Sequence, residues 1–399
     1  MSFNKVYKIC VKKLQLHMEK NSGLINPPET KNGDYYESVK ECDFVGNRWI
    51  WLNSMITGMA PIISQTEKDF SYIAWANSFS EKYHEKVFKP YTQTMHDIGF
   101  LYLPYSVHLY RLTGDISHRD TALKAADELA KRFNVRGRFI EAWDDMNNEN
   151  RECRMIVDSS MNVSLLYWAW KETGHYFYRD VADCHLETII KTLFREDHSV
   201  AHAWFFDPET GAPTEEANSC GYENGSHWAR GTAWLVYGLA AAYSYTKNER
   251  FLDVAVKAGE KYLDSLDDNP VPVWDFRLPK DTPAQCGDWK TFAPHWDITK
   301  SENKTYNVDS SAAAIMTCAF QLICSFVKNE RFEKYIDEAL TVLTEEYLDG
   351  NLNIPAMLKC VDGKDIYAIY ADYYYLQALC VKLFGIKTCW ENDKADVKN

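Results

Sequence analysis

The feature that most restricts the fold is a recurring pair of segments. An apolar stretch runs into a short polar turn, and a stretch with a single apolar stripe follows. The turns include Thr113-Gly114-Asp115, Thr173-Gly174-His175, Lys247-Asn248-Glu249-Arg250-Phe251 and Lys328-Asn329-Glu330-Arg331-Phe332. Gly, Asn and Asp tolerate the left-handed geometry that ends a helix, and the repeated Lys-Asn-Glu-Arg-Phe marks equivalent positions in two units. In 330–347 the apolar residues are Phe332, Tyr335, Ile336, Ala339, Leu340 and Leu343, which form one stripe at a period of 3.6. The segment 116–133 repeats the pattern with Leu123, Ala126, Leu129, Ala130 and Phe133. The first segments of each pair, 97–112, 158–170, 230–245 and 309–326, are apolar or small around most of their circumference. Such helices are buried on more than one side.

First helices are predicted to start near Trp51, Asp97, Asp158, Arg230, Asp309 and Asp372, and second helices near 69, 116, 176, 249 and 330. The amphipathic segment 4–20 supplies the missing partner of the sixth unit. Six inner and six outer helices describe an all-α fold, an (α/α)6 barrel, with residues 1–399 as a single domain. The intervals between units exceed the tetratricopeptide period of about 34 residues, which disfavours an open solenoid. Long inserts at 134–157, 195–229 and 267–308 each precede an inner helix. They therefore gather at one end, where an active site is expected.

Lys plus Arg (44) against Asp plus Glu (57) leaves a net charge of −13, which disfavours nonspecific binding to nucleic acid or anionic membranes. An anionic ligand would need a local cation. The N-terminal residues lack a continuous apolar run of the signal-peptide type, and no run of 18 apolar residues occurs, so a cytoplasmic protein is expected. The 11 cysteines are odd in number and scattered, with no CxxC pair. They read as buried thiols in a reducing compartment, without disulfides or a structural zinc site. No GxGxxG, Walker, HExxH or GxSxG pattern is present, and neither a metal nor a cofactor is expected.

Four of the inner helices are predicted to begin with aspartate: Asp97, Asp158, Asp309 and Asp372. Each can be an N-cap that accepts first-turn N–H groups. Together they also place several carboxylates at one end of one barrel, and paired carboxylates are the usual equipment of glycoside chemistry. Pro104 falls inside the helix that follows Asp97 and is expected to kink it or to delay its start. Arg230, in His227-Trp228-Ala229-Arg230-Gly231-Thr232-Ala233-Trp234, stands at a helix start suited to anions. Trp234 lies one turn on, on the same face, as a candidate sugar platform. The alternative for this pair is an Arg–Asp bridge plus a core tryptophan. Trp51 and Trp143 are further candidate platforms. His202 lies in an insert that turns around Asp207-Pro208-Glu209-Thr210-Gly211, where a lone histidine is more often structural than catalytic.

Taken together, these pieces resemble the unsaturated glucuronyl hydrolases, from about Trp51 to Tyr375. The strongest are Met95-His96-Asp97-Ile98-Gly99-Phe100, Asp158 heading an apolar helix, His227-Trp228-Ala229-Arg230-Gly231, Asp309-Ser310-Ser311-Ala312 and Asp372-Tyr373-Tyr374-Tyr375. The resemblance implies an (α/α)6 barrel that releases unsaturated uronic acid from oligosaccharides made by polysaccharide lyases. It implies Asp158 as general acid/base and Asp97 as its partner carboxylate. It further implies that Trp51, His96, Trp143, His202, Arg230, Trp234 and a tyrosine of 373–375, chiefly Tyr373, contact substrate. Two departures stand out. Cys220 occupies a place where the family often has glutamine, and a Ser-x-x-Ser-x-Lys motif found in members that prefer sulfated substrates is missing between Met357 and Ala371, which offers only Lys359 and Lys364. The competing readings are an unsaturated rhamnogalacturonyl hydrolase acting on pectin fragments, an ordinary inverting glycosidase, and a non-catalytic oligosaccharide-binding barrel.

Overall fold

The computed structural model describes residues 1–20, 29–30, 32–35, 43–89, 94–278, 308–360 and 365–393. The chain opens with an outer helix, α1 (Phe3–Lys20), and then alternates between inner and outer positions. Inner α2 (Ser54–Glu67) is followed by outer α3 (Ser71–Asn77) and α4 (Ser80–Phe88). Inner α5 (Ile98–Tyr102) runs through a π-helical turn, Leu103–Val107, into α6 (His108–Thr113), and outer α7 (Ile116–Ala130) follows. Inner α8 (Ser159–Asn162) leads into α9 (Ser164–Thr173), with α10 (Tyr176–Thr192) outside. The last three pairs begin with inner α11 (Ala229–Thr246) and outer α12 (Glu249–Asp264), then α13 (Ser310–Cys324) and α14 (Glu330–Val342). Inner α15 (Ile369–Phe384) ends the series and packs on α2, which closes the ring. The helix α1 packs against α15 and α2, so the N-terminal segment completes the sixth unit as expected.

The local chemistry matches this order. Gly114 and Gly174 adopt φ of +71° and +75° at the ends of inner helices, where a side chain would be strained. Asn248 and Asn329, the shared Asn of the repeated pentapeptide, both cap outer helices by accepting first-turn N–H groups. The whole predicted stripe of α14 is buried, from Phe332 to Leu343. Pro104 does not delay the helix start. It sits in the π-helical turn, a geometry that absorbs an interruption of the hydrogen-bond ladder. The nine described cysteines are free thiols, while Cys42 and Cys286 lie outside the described residues. No described helix is long and apolar enough to cross a membrane.

Most of the described strands lie in or beside the first two inserts. β1 (Glu29–Thr30) pairs with β7 (Tyr367–Ala368), and β2 (Phe133–Asn134) pairs with β3 (Phe139–Ile140). β4 (Arg154–Ile156), β5 (Ala203–Phe206) and β6 (Pro213–Ala217) form an antiparallel sheet in which Arg154 opposes Phe205 and Ile156 opposes Ala203. The β5–β6 turn is the one anticipated around Asp207, whose carboxylate accepts the N–H groups of Glu209 and Thr210. Of the third insert, residues 279–307 lie outside the described ones, as does Lys364. The opposite end of the barrel is plugged. Trp390 is fully buried against Phe100, Tyr237 and Tyr374, and Arg111 holds the segment by donating to the carbonyls of Thr388, Cys389 and Glu391.

Two glycines set how tightly the inner ring closes. A Cβ on Gly99 would stand 2.5 Å from both the Cα and the carbonyl oxygen of Asn162, and one on Gly238 would overlap the backbone of Ser160. The helices α5 and α11 thus press on opposite sides of α8. Gly99→Ala is expected to destabilise the protein by about 3 kcal/mol or more through overpacking against backbone that cannot yield. Gly114→Ala meets no neighbour within 4 Å and is expected to cost only about 1 kcal/mol, from its positive φ. Equal losses in denaturant titration would show that the α5–α8 approach is not limiting.

Candidate active site

The four aspartates do not share a role. Asp309 is a true cap and accepts the Ala312 N–H at 3.0 Å. Asp372 does not start its helix, because α15 begins three residues earlier. It is buried and accepts the N–H groups of Met357 and Leu358 at 3.0 and 2.7 Å and the Tyr35 hydroxyl at 3.2 Å. It therefore braces the 357–358 segment. Asp97 and Asp158 occupy the N-cap positions of α5 and α8, yet neither carboxylate caps its helix. Both are left for other work.

Asn162 joins them. Its Nδ2 donates to Asp97 Oδ1 at 3.0 Å and to the Asp158 carbonyl at 3.1 Å, while its Oδ1 accepts the Phe100 N–H at 2.8 Å. His96 Nε2 stands 3.1 Å from Asp97 Oδ1. Asp158 Oδ2 is buried and has no hydrogen-bond partner among the described residues. Burial, and then the negative charge of Asp97, push the Asp158 carboxyl up to about 7. His202 Nε2 faces Asp158 Oδ2 at 4.0 Å, and its Nδ1 accepts the Ser219 N–H at 2.9 Å. Burial drives the His202 imidazolium down to about 3. The ring is therefore neutral, with its proton on Nε2 facing the acid.

Around this pair the aromatic wall is only partly the expected one. Trp51 stacks on Tyr370 with centroids 6.3 Å apart and leans on Phe100 at 5.5 Å. Trp143 comes within 6.5 Å of the His96 ring. Arg132 fixes that approach, since its buried guanidinium donates to the Thr94, Glu141, Ala142 and Asp144 carbonyls and ties the segment before His96 to the Trp143 loop. Trp234 is corrected from sugar platform to core. It is fully buried between Phe100 and Tyr374 at 5.0 and 5.3 Å, so its faces are already covered. Tyr373 is corrected too. It is fully buried against Tyr374, and its hydroxyl shares a hydrogen bond with Cys389 Sγ at 3.4 Å. The tyrosine that reaches the site is Tyr370, in the first turn of α15.

Arg230 takes the Arg–Asp bridge reading. Its Nη1 lies 2.8 Å from Asp309 Oδ2 and 3.0 Å from Ser311 Oγ, and its guanidinium covers the Trp228 and Tyr370 rings at 4.9 and 5.2 Å. It remains close enough to lower Asp158 against the opposing influences. Cys220 also lies near Asp158, and burial, followed by that carboxylate's charge, raises its thiol to about 12. Sequence reasoning missed Asn162, Arg132, Tyr370 and Trp228. Only Trp228 carried a signal, as a neighbour of Arg230 in the quoted motif. The larger hollows lie elsewhere, about 1400 Å³ of empty space between the end of α12 and α14 and about 1250 Å³ at the plugged end. A smaller space of about 200 Å³ adjoins Asp97, Trp51 and Arg48. The carboxylate pair, not cavity size, marks the site. No group of three His, Cys, Asp or Glu side chains among the described residues is arranged to hold a metal ion. The pair itself can donate a proton near neutrality and offers a second negative charge to a developing cation.

Residues 30–379 match the family model described as Glycosyl Hydrolase Family 88. The unsaturated chondroitin disaccharide hydrolase of Streptococcus pneumoniae is 32% identical over 345 residues, which is 82% of this chain and 81% of that one. The unsaturated glucuronyl hydrolase of Bacillus sp. strain GL1 is 30% identical over 353 residues, 85% and 88% of the two chains. The solved structure of the unsaturated glucuronyl hydrolase from Bacillus sp. GL1 superposes with a TM-score of 0.84 at 25% identity, covering 99% of this chain and 100% of the other. An unsaturated glucuronyl hydrolase specific for heparin gives 0.79 at 26% identity, over 96% and 98%.

Two outcomes follow from the charges. The Asp158 carboxyl titrates at about 7 in the folded protein against an ordinary value of 3.8. The native state then holds a proton that the unfolded chain releases, so this stabilisation is full below about pH 4 and is lost as pH rises to about 7. Asp158→Asn should therefore match the wild type in unfolding free energy at pH 4 and exceed it at pH 8, by on the order of 2–4 kcal/mol in denaturant titration. A pH-independent difference would contradict the raised value. Arg230→Ala should cost about 3–5 kcal/mol because it strands the Asp309 charge. Adding Asp309→Asn, which still caps, should recover part of that loss in chemical denaturation.

Proposed function

This chain belongs to glycosyl hydrolase family 88, and from that premise we propose that it releases the unsaturated (Δ4,5) glucuronic acid from the non-reducing end of glycosaminoglycan-type oligosaccharides made by polysaccharide lyases. The observation that carries the chemistry is the buried Asp158, raised to about 7 beside Asp97. The names of its relatives, which refer to unsaturated chondroitin disaccharides and unsaturated glucuronides, favour this substrate over pectin fragments. The whole of 1–399 serves as one catalytic domain. Its free thiols suit a reducing cytoplasm.

In this mechanism the protonated Asp158 delivers its proton to C4 of the C4=C5 double bond. Positive charge builds at C5 and the ring oxygen, and the Asp97 carboxylate, held by His96 and Asn162, stabilises it. A water adds at C5 and gives its proton back to Asp158. The resulting hemiketal opens to a ketone, and the hemiacetal left at C1 releases the next sugar as an alcohol. The neutral His202 donates a hydrogen bond towards the acid or the attacking water. Trp51 with Tyr370 forms one wall around the unsaturated ring, and Trp143 with His96 forms the other. Arg230, neutralised by Asp309, offers remaining N–H groups to oxygen atoms of the uronate.

The test is the ultraviolet band of the conjugated double bond in lyase-generated disaccharides from chondroitin, hyaluronan, heparin and pectin. Loss of the band reports hydration, whereas an ordinary glycosidase or a binding protein leaves it intact. Asp158→Asn should stay folded and lose about 10²–10⁴-fold or more in turnover; near-wild-type rates would remove Asp158 from the mechanism. The rate should fall above about pH 7, where the acid is deprotonated. Asp97→Asn removes a charge that raises Asp158, so the residual activity should decline from a lower pH than in the wild type. An unshifted alkaline limb would separate the two carboxylates.

A further inference from the structure

An acidic protein that handles anionic sugars needs local cations. Arg230 is already matched to Asp309 in a bridge whose two side chains are 17% and 7% exposed. Arg154 is matched differently. Its guanidinium lies between the Trp143 and Phe205 rings, 4.8 and 4.7 Å from their centroids, which fixes its plane. Its Nη1 donates to Ser219 Oγ at 3.3 Å. Its counter-ion is Glu152, which meets only Nη2 and is itself 53% exposed. Its Nε has no partner among the described residues. A one-point, half-exposed ion pair contributes little and exchanges readily, whereas a guanidinium offers a rigid fork suited to sulfate or carboxylate.

Its place follows from the chain of contacts. The Ser219 that Arg154 touches also donates its N–H to His202, which faces Asp158. Trp143, under the guanidinium, also comes within 6.5 Å of the His96 ring. The charge of Arg154 acts on His202 and Cys220, while the charges acting on Asp158 are those of Asp97, His96 and Arg230. Arg154 thus stands one residue further from the reacting ring than the catalytic pair, on the wall formed by the three-stranded sheet. Resting on the function proposed above, we propose that Arg154, with Trp143 and Ser219, forms the subsite for the leaving sugar and binds an anionic substituent, sulfate or carboxylate, on that sugar.

The test compares three unsaturated disaccharides whose second sugar is an unsulfated hexosamine, a sulfated hexosamine or a uronate. Arg154→Gln should raise KM by about 10- to 100-fold on the matching anionic disaccharide, with kcat changed far less and a much smaller effect on the neutral one. Arg154→Lys should restore part of the loss, and 0.5 M salt should shrink the wild-type preference as screening dictates. A loss confined to the sulfated or to the uronate substrate identifies the anion. Glu152→Gln, which removes the competing carboxylate, should lower KM for that same substrate, and it decides the matter if Arg154→Gln does not fold. Equal losses on all three substrates, or none, overturn the proposal. If the wild type turns over none of them, the proposed function fails, and calorimetric binding of the same disaccharides to wild type and Glu152→Gln still decides the subsite.

Discussion

The close approach of α5 to α8 places Asp97 beside Asp158, and it depends on Gly99 presenting no side chain to the backbone of Asn162. Asn162 turns the contact into a clamp. One amide satisfies Asp97, the Asp158 carbonyl and the Phe100 N–H together. Two helix starts that would otherwise vary in spacing become one unit. A catalytic pair needs this rigidity, because the effect of one carboxylate on the other depends steeply on distance in a poorly solvated site.

That unit works electrostatically because its surroundings supply too little compensation for two buried charges. Asp309 and Asp372 sit at the same end of the barrel and are fully engaged, one by its helix and Arg230, the other by three donors. Asp97 has His96 and Asn162, and Asp158 Oδ2 has no hydrogen-bond partner among the described residues. The proton settles on Asp158 because ionising it would bury a second, unsupported charge next to the first. His202 cannot relieve this, because its own burial keeps it neutral. The site thus prepares an acid near neutrality by withholding partners from one group while satisfying its neighbours.

The rest of the barrel holds that arrangement in place. Arg132 uses its whole fork on backbone carbonyls to fix the loop of Trp143 against the segment before His96. From the far end, Trp390 fills the lumen against Phe100, which also contacts Trp51 and Trp234. Packing at native density transmits such support, since few voids are available to absorb a shift. Trp143 and Arg154 extend the wall from the helices onto the β-insert, where sequence can vary without disturbing the ring.

Much of this was legible in the chain. The alternation of all-round and one-sided apolar segments set the barrel, and the stripe of 4–20 named the partner of the last inner helix. The Asp97-Ile98-Gly99 and Asp158 pieces located the carboxylate pair, because a helix start at one end of a closed ring can only look into that end. What sequence could not fix was depth. The helix α15 begins at Ile369, not Asp372, and α11 at Ala229. Each helical residue advances about 1.5 Å, so Tyr370 and Arg230 sit in first turns at the mouth, while Tyr373 and Trp234 lie a turn deeper in the core. Periodicity assigns a residue to a face, but only the packed ring decides how far along the axis that face is covered. Asn162, Arg132 and Arg154 stayed hidden for a related reason. Their roles are contacts across long sequence separations, and no local pattern records which backbone or ring will stand opposite. Sequence determined which helices form and which end holds the acids; tertiary structure decided which acid is left without a partner, and therefore which one keeps the proton.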